Sequence, residues 1–352
     1  MNQNAQRLRI AQVAPLWMRI PPETYGGAEL MVSLLTEELI TNGHDVTLFA
    51  SGDSETRAKL HPIGTYSVAN AMSRGEAYEY EHYANASLAE ALRASSNFDL
   101  IHCHLGFSRI PFSINSPIPV VHTLHTPLGI DDQWTLRRYP SVPVVAISRY
   151  QAASIPRECK QVSVIHHGID FGTYEVSSQP GSYLVFIARM GPQKSPLDAI
   201  RIAERAGHPL VLAGKPQNAE EERYFQEQIK PHVDGQRVRY LGPVTHMQKN
   251  ELLKKAAALL FPIRGPEAFG LVMVEAMACG TPVLAFRTAS VEEIVDVGVT
   301  GYTALDPETL ASMVERAIAL DRTTVRAHAE RRFGHTRMAR DYMSVYHTLV
   351  RG

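Results

Sequence analysis

Short runs of apolar residues alternate with segments of helical periodicity along almost the whole chain. The runs at 8–14 (LRIAQVA) and 44–50 (HDVTLFA) have the length and composition of buried strands. Between them, leucines recur at helical spacing, at positions 30, 34, 35 and 39. Further strand-like runs follow at 98–104, 119–125, 143–148 and 162–168. Strands that alternate with helices are joined by right-handed crossovers, so this pattern predicts an α/β fold with parallel sheets.

A second series of the same kind begins after a loop-like stretch at 177–182 (SSQPGS). A strand is predicted at 183–188 and a helix at 195–207, with Pro196 in its first turn and Gly207 after its last. More strand-like runs lie at 209–214, 237–242, 259–262 and 282–286. At 352 residues the chain is also longer than a single core usually grows. We therefore expect two doubly wound domains divided near 168–180, with ligands in the crevice at the carboxyl ends of the strands.

The composition excludes several classes of function. A hydrophobic content of 45% with 20% charged residues is typical of a globular protein, and a net charge of −1 offers no basic surface for nucleic acid. Three cysteines, far apart in the sequence, predict buried thiols rather than a disulfide framework. Neither a signal peptide at 1–15 nor a membrane span is recognisable, so we expect a cytoplasmic protein without stable membrane insertion.

Two glutamates, Glu267 and Glu275, lie in the otherwise apolar segment GPEAFGLVMVEAMACGTPV at 265–283. A carboxylate in such surroundings is unfavourable unless other groups donate hydrogen bonds to it. The segment predicts a helix from Phe269 to Cys279, which places Glu267 in the preceding loop and Glu275 one to two turns into the helix.

The start of that helix is a candidate phosphate site. The N–H groups around Gly270, Leu271 and Val272 would have no partner within the helix, and such a terminus attracts anions. A sugar nucleotide would supply phosphates for the amides and hydroxyls for the glutamates. The alternative is that Glu267 merely favours the helix dipole and Glu275 is solvated.

The loop ARMGPQKSP at 188–196 follows another predicted strand and carries Arg189 and Lys194. Departure of a nucleoside diphosphate leaves negative charge on the leaving oxygen, and fixed cations there lower the barrier. The alternative is that both are ordinary surface cations.

The segment EAFGLVMVE at 267–275 resembles the E-x7-E motif of the retaining glycosyltransferases of family 4, which have the GT-B fold. The resemblance implies that Glu267 contacts hydroxyls of the donor sugar and Glu275 the ribose. It also implies that the backbone amides of Phe269, Gly270, Leu271 and Val272 hold the diphosphate or the sugar. The family's R-x4-K pair matches Arg189 and Lys194, although Ala188 and Ser195 stand where glycine is common.

In the N-terminal half, YGGAE at 25–29 is similar to the family's G-G-x-E loop, which implies that Gly26 and Gly27 border the donor diphosphate. Glu29 is interpreted as serving the helix start. His125 matches the family's active-site histidine, which touches the donor sugar, and we group it with Arg189, Lys194 and Glu267 as catalytic.

Two further histidines, His102 and His104, fall on one face of a strand, as a metal pair would. No third ligand stands at a recognisable spacing, and the family has similar histidines, which favours a structural or cleft-lining role. The chain contains no D-x-D triplet of the kind that holds a divalent metal on a diphosphate. We therefore expect no metal and no other cofactor.

The resemblance implies a GT-B enzyme with two Rossmann-like domains facing across a cleft. Residues 1–168, joined by a C-terminal helix at about 336–352, would form the acceptor side, and residues 169–335 would bind the nucleotide sugar. The expected reaction moves a hexose from a UDP- or GDP-hexose, with retention, to a small molecule, a lipid carrier or a glycan. The alternatives are a sugar-nucleotide epimerase of the same fold and a non-catalytic sugar-nucleotide-binding protein. An NAD-dependent dehydrogenase is disfavoured because no G-x-G-x-x-G follows a strand.

Overall fold

Two parallel β-sheets, each covered by helices, organise the chain. The structure is a computed structural model that describes residues 7–23 and 26–352. Two of the sequence interpretations fall partly outside the described residues. They concern the N-terminal stretch, which includes residues 1–6, and the glycine loop, which includes Tyr25. The first unit comprises the chain up to Gly168 together with His335–Gly352, and the second comprises Ile169–Gly334.

Among its described residues, the first unit has seven strands and, before residue 168, five α-helices. The strands are β1 (Arg9–Val13), β2 (Asp45–Ala50), β3 (Lys59–Pro62), β4 (Leu100–Cys103), β5 (Val120–Leu124), β6 (Val144–Ala146) and β7 (Val162–Val164). The helices are α1 (Gly27–Thr41), α2 (Val68–Ser73), α3 (Tyr80–Arg93), α4 (Ile130–Arg138) and α5 (Arg149–Ala152).

Every pairing in the first sheet is parallel, in the order β3-β2-β1-β4-β5-β6-β7. The central strands are buried on both faces, which explains why they read as continuous apolar runs rather than as alternating ones. The chain order reverses between β1 and β4, and loops at the carboxyl ends of strands beside such a point commonly bind ligands.

The second unit contains six strands and eight helices. The strands are β8 (Leu184–Ile187), β9 (Leu210–Ala213), β10 (Val238–Tyr240), β11 (Ala258–Phe261), β12 (Val283–Phe286) and β13 (Gly301–Ala304). The helices are α6 (Pro196–Ala206), α7 (Ala219–Tyr224), α8 (His246–Lys254), α9 (Leu271–Ala278), α10 (Val291–Ile294), α11 (Pro307–Ser312), α12 (Val314–Ile318) and α13 (Arg322–Phe333).

The second sheet is also parallel throughout, in the order β10-β9-β8-β11-β12-β13. Its chain order reverses between β8 and β11. The two loops that carry the sequence motifs, after β8 and after β11, therefore leave neighbouring strands at the same edge of the sheet.

The last helix, α14 (His335–Arg351), belongs to the first unit and begins at His335, slightly earlier than the sequence pattern indicated. Its buried face consists of Met338, Ala339, Tyr342 and Tyr346. No helix in the described part of the chain combines the length and the hydropathy needed to cross a lipid bilayer.

Candidate active site

The loops after β8 and β11 are joined by backbone hydrogen bonds. The carbonyl oxygen of Gln193 accepts the N–H groups of Arg264, at 2.9 Å, and Gly265, at 3.0 Å. The loop with the two predicted cations is thereby fixed against the loop that leads to Glu267.

Lys194 and Glu267 form an ion pair across these two loops. The ammonium Nζ of Lys194 lies 2.6 Å from Oε2 of Glu267, and both side chains are largely buried. The N–H of Phe269 points to the other carboxylate oxygen at 3.5 Å. Lys194 therefore donates the hydrogen bond that stabilises the buried carboxylate of Glu267. The sequence interpretation had assigned this lysine to the diphosphate.

Arg189 has an acidic partner that the sequence analysis missed. Its Nη1 lies 2.9 Å from Oε1 of Glu221 and 3.2 Å from the amide oxygen of Gln217. The side chain of Glu221 is 11% exposed, whereas that of Arg189 is 38% exposed and remains partly open to solvent. Glu221 could not have been singled out, because the acidic stretch at 220–222 looks like an ordinary solvated helix start.

Ser195 adopts the backbone conformation that glycine adopts most easily. Its φ is 56° and its ψ 50°, and its hydroxyl donates to the carbonyl of Pro192 at 3.0 Å. Ser195 therefore holds a backbone conformation that costs a residue with a Cβ more than it would cost the glycine common at this position in the family. Ala188, the other departure, has no left-handed backbone.

Helix α9 begins at Leu271 rather than at Phe269, because Gly270 before it has a φ of 85° and interrupts the helical conformation. Gly270 is tightly enclosed, since a Cβ there would lie 2.6 Å from the terminal methyl of Met273. Leu271 and Val272 are partly exposed at the helix start, where helix geometry leaves their N–H groups without intrahelical partners. Phe269 lies in the preceding loop, and its ring packs 5.9 Å from that of Phe333.

Glu275 is buried in α9, with 3% of its surface exposed, so the alternative that it is solvated is wrong. Lys249 of α8 places its ammonium 2.5 Å from Oε1 of Glu275, and the hydroxyl of Tyr174 donates to the same oxygen at 3.3 Å. Burial, and then the negative charge of Glu275, raise the pKa of Tyr174, so its phenol stays protonated. Lys249 lies in the polar segment QKNELLK, which gave no sequence signal for a buried cation.

In the first unit, Gly26 and Gly27 stand at the start of α1, Gly26 as the residue before it and Gly27 as its first. The carboxylate of Glu29 fills the space beside Gly26, where a Cβ would lie 3.0 Å from Oε2. Burial raises the pKa of Glu29, while N–H groups of Glu29 and Met18 oppose that rise. These contacts agree with the interpretation that Glu29 serves the helix start.

His125 follows β5 and is hydrogen-bonded to another histidine. Its Nε2 lies 3.0 Å from Nδ1 of His104, and its ring is stacked on that of His167 with centroids 5.3 Å apart. Burial lowers the pKa of His125 to about 4, which keeps the imidazole neutral at pH 7. His122 lies within β5, bonds to Oγ of Ser113 at 2.7 Å, and has its pKa lowered by burial to about 3.

The remaining strand histidines have protein partners. His102 bonds to the hydroxyls of Tyr346, at 2.6 Å, and Thr123, at 2.7 Å, and His104 bonds to Gln12 at 2.8 Å. Within residues 7–23 and 26–352, no group of three His, Cys, Asp or Glu side chains is arranged to hold a metal ion. The structural role favoured for His102 and His104 agrees with these contacts.

Two parallel α/β units of this topology define the GT-B class of glycosyltransferases. AviGT4, a glycosyltransferase involved in avilamycin A biosynthesis, superimposes with a TM-score of 0.74 over 98% of both chains at 24% identity. HepE of Anabaena in complex with UDP-glucose superimposes with a TM-score of 0.71, over 97% of this chain and 99% of that one, at 20% identity. These similarities establish the fold.

Sequence comparison identifies the family. Residues 25–172 match the description "Glycosyltransferase Family 4" and residues 181–320 match "Glycosyl transferases group 1", so the two matches together cover most of the chain. N-acetyl-alpha-D-glucosaminyl L-malate synthase of Bacillus anthracis is 25% identical over 93% of this chain and 95% of its own length. D-inositol 3-phosphate glycosyltransferase of Streptosporangium roseum is 23% identical over 90% of this chain and 87% of its own. The chain belongs to the group 1 glycosyltransferases of family 4.

Proposed function

We propose that this enzyme transfers a hexose from a nucleoside-diphosphate sugar, such as a UDP- or GDP-hexose, to an acceptor hydroxyl with retention and without a metal. One observation carries the proposal. At the edge of the second sheet where chain order reverses, the loops after β8 and β11 hold Lys194 against Glu267 beside the start of α9. A cation, a carboxylate and the amides of a helix start thus lie close together, which is what a phosphorylated sugar would require of its site.

In this proposal the donor diphosphate or sugar lies against the backbone amides of residues 269–272. Glu267 accepts hydrogen bonds from sugar hydroxyls, and Glu275, held by Lys249 and Tyr174, accepts those of the ribose. The structures of HepE of Anabaena in complex with UDP and with UDP-glucose support a donor of this chemical class.

The proposed chemistry requires several groups at once. As the bond between the anomeric carbon and the phosphate oxygen breaks, negative charge grows on the diphosphate, where Arg189 and Lys194 stabilise it. A helix terminus contributes at most about 2 kcal/mol to a partly buried anion, and one preorganised donor about 3–4 kcal/mol. Because enzymes lower barriers by about 8 kcal/mol or more, the amides and both cations are needed together.

Retention follows, in this proposal, from attack on the face that the diphosphate leaves. The acceptor hydroxyl bonds to the anomeric carbon while its proton passes to the departing phosphate oxygen, so no side chain need form a covalent adduct. Trapping of a sugar–protein adduct by rapid quenching would contradict this step. His125, Gly26 and Gly27 of the first unit are proposed to contact the donor. The same unit would receive the acceptor, which could be a small molecule, a lipid carrier or a glycan.

The experiment that tests the proposal measures release of nucleoside diphosphate from UDP-glucose and from GDP-mannose by wild-type enzyme and by Arg189→Ala. We expect turnover of one donor, unchanged by EDTA, and a loss of about 10²–10³ in Arg189→Ala. Arg205→Ala is the matched control, since Arg205 of α6 pairs with Glu308 at an exposed surface. Near-normal turnover by Arg189→Ala, or formation of an epimer without nucleotide release, would overturn the proposal.

A further inference from the structure

A continuous line of hydrogen bonds runs through the first unit from the C-terminal helix to His125. The amide nitrogen of Gln12 lies 3.2 Å from the hydroxyl of Tyr346, and its amide oxygen lies 2.8 Å from Nε2 of His104. Nδ1 of His104 in turn lies 3.0 Å from Nε2 of His125. Gln12 and Tyr346 are fully buried and His104 is 5% exposed, so water does not compete with these bonds.

The direction of each bond in this line follows from Gln12. Its amide oxygen can only accept, so Nε2 of His104 carries the proton. Burial lowers the pKa of His104 far below its usual value, and a neutral imidazole has one donor and one acceptor nitrogen. Nδ1 of His104 is therefore the acceptor, and the proton between the two rings belongs to Nε2 of His125.

The hydrogen bonds on the other side of Gln12, from Tyr346 to Thr123, are consistent with these proton positions. Tyr346 accepts from Gln12 and can donate to Nδ1 of His102 at 2.6 Å, so Nε2 of His102 donates to Oγ1 of Thr123 at 2.7 Å. Reversing the amide of Gln12 would reverse every bond on both sides of it. Gln12 is thus the single group from which the proton positions of three histidines follow.

This arrangement leaves one nitrogen of His125 without a proton. Nδ1 of His125 is buried and has no hydrogen-bond partner among the described residues. A buried acceptor without a partner is unfavourable, and such groups are uncommon in folded proteins. His125 follows β5 at the carboxyl edge of the first sheet, where its free lone pair would be satisfied by a bound hydroxyl.

We propose that Gln12 is a positioning residue for His125. Acting through His104, Gln12 holds the ring of His125 in the Nε2–H form and leaves the Nδ1 lone pair to accept a hydrogen bond from a substrate hydroxyl. That this hydroxyl belongs to a nucleotide-bound sugar rests on the proposed function. The assignment of the Nε2–H tautomer to His125 does not depend on the proposed function.

The direct test is long-range ¹H–¹⁵N NMR on free enzyme labelled at histidine, which distinguishes the two tautomers of each ring. Signals are assigned by replacing one histidine at a time. We expect His102, His104 and His125 all in the Nε2–H form. If His125 carries its proton on Nδ1, the proposal is overturned, and this measurement needs no variant that might fail to fold.

Variants then test whether Gln12 and His104 cause His125 to adopt the Nε2–H form. Gln12→Met, of similar volume, removes the acceptor, and we expect His125 to populate both tautomers. His104→Asn keeps an acceptor oxygen near the position of Nδ1 and should preserve the Nε2–H form, whereas His104→Leu should not. Ser113→Ala is the control, since it removes the partner of His122 alone. An unchanged His125 signal in both Gln12→Met and His104→Leu would overturn the proposal.

Kinetics with UDP-glucose separate this inference from the proposed function. We expect Gln12→Met to lower kcat/KM about tenfold, the equivalent of one hydrogen bond of about 1.4 kcal/mol, and His104→Asn to retain more activity than His104→Leu. If wild-type enzyme turns over UDP-glucose but these variants match it, the positioning role fails while the function stands. If neither UDP-glucose nor GDP-mannose reacts, the function fails while the tautomer assignment is still decided by NMR.

Discussion

The ammonium of Lys194 and the carboxylate of Glu267 lie 2.6 Å apart, on loops that follow two neighbouring strands of the second sheet. The sequence assigned one of these groups to a diphosphate and the other to a sugar. In the free protein they neutralise each other, and in the proposed function a bound donor would contact both. If the proposed function holds, this ion pair positions the two charges before the donor binds, and their contributions to turnover should be coupled.

Lys194→Ala should therefore lower turnover of UDP-glucose by about 10²–10³, as expected for loss of one preorganised donor. The double variant Lys194→Ala/Glu267→Gln should lose less than the product of the two single effects, because each single change leaves a group of the pair without its partner. Steady-state rates of the three variants provide the test. Lys255→Ala, at an exposed ion pair, is the control, and strictly multiplicative losses would show that the pair is not coupled.

Lys249→Met should destabilise the second unit by about 3–5 kcal/mol, because it leaves the carboxylate of Glu275 buried without its cation. Urea unfolding measures the change in the free energy of unfolding. Lys249→Met/Glu275→Gln should recover most of the loss, since Tyr174 can still donate to the amide oxygen. Lys255→Met should cost less than about 1 kcal/mol, as surface pairs do. Equal losses of unfolding free energy in Lys249→Met and Lys255→Met would show that the buried ion pair is no more important than the exposed one.

Ser195→Gly should be more stable than Ser195→Ala by about 1 kcal/mol, because the left-handed backbone at this position costs an alanine more than a glycine. Both changes remove the hydroxyl that donates to Pro192, so the comparison isolates backbone conformation. Thermal unfolding of the two variants side by side measures it. An alanine variant as stable as the glycine one would mean that the loop relaxes out of this conformation.

Stability should fall as the pH is lowered from 7.5 to 5.5. Burial holds the pKa of His125 at about 4 and that of His122 at about 3, below the value of 6.5 for an unperturbed histidine. In this window the unfolded chain binds protons that the folded protein does not. Stability is thus fully present above about pH 6.5 and decreases below it, by up to about 1.4 kcal/mol per pH unit for each such histidine.

Urea midpoints at the two pH values measure this dependence. His122→Gln should reduce the change in the urea midpoint between the two pH values, because one of the histidines that stay neutral in the folded protein is then absent. Identical urea midpoints at pH 7.5 and 5.5 would contradict the burial of these rings in their neutral form.

The strands were predictable because a parallel sheet buries both faces, so β8 and β11 appear as short continuous apolar runs. Two edge strands were missed: β3 (Lys59–Pro62) carries polar residues and pairs on one side only, and β13 (Gly301–Ala304) is short and begins with a glycine. The start of α9 was predicted two residues early, since spacing alone does not show that Gly270 is left-handed. A strand whose residues are buried can be predicted from its apolar sequence, whereas a helix boundary that depends on one backbone angle cannot.

The motif residues of the candidate site could be named from the sequence, but their partners could not. Lys249 lies 26 positions from Glu275, and Tyr174 lies 101 positions from it, so no local spacing connects them. Glu221 is likewise 32 positions from Arg189. Gln12 gave no signal, since a lone glutamine in an apolar strand has no characteristic partner until the sheet brings His104 beside it.

Tyr342 and Tyr346 of the last helix are fully enclosed in the first unit, where they complete its polar interior. During synthesis, the whole second unit leaves the ribosome before these two side chains do. The first unit therefore lacks these two side chains until the second unit has been synthesised, and a nascent chain stalled before residue 335 would leave exposed the polar groups that the two tyrosines cover.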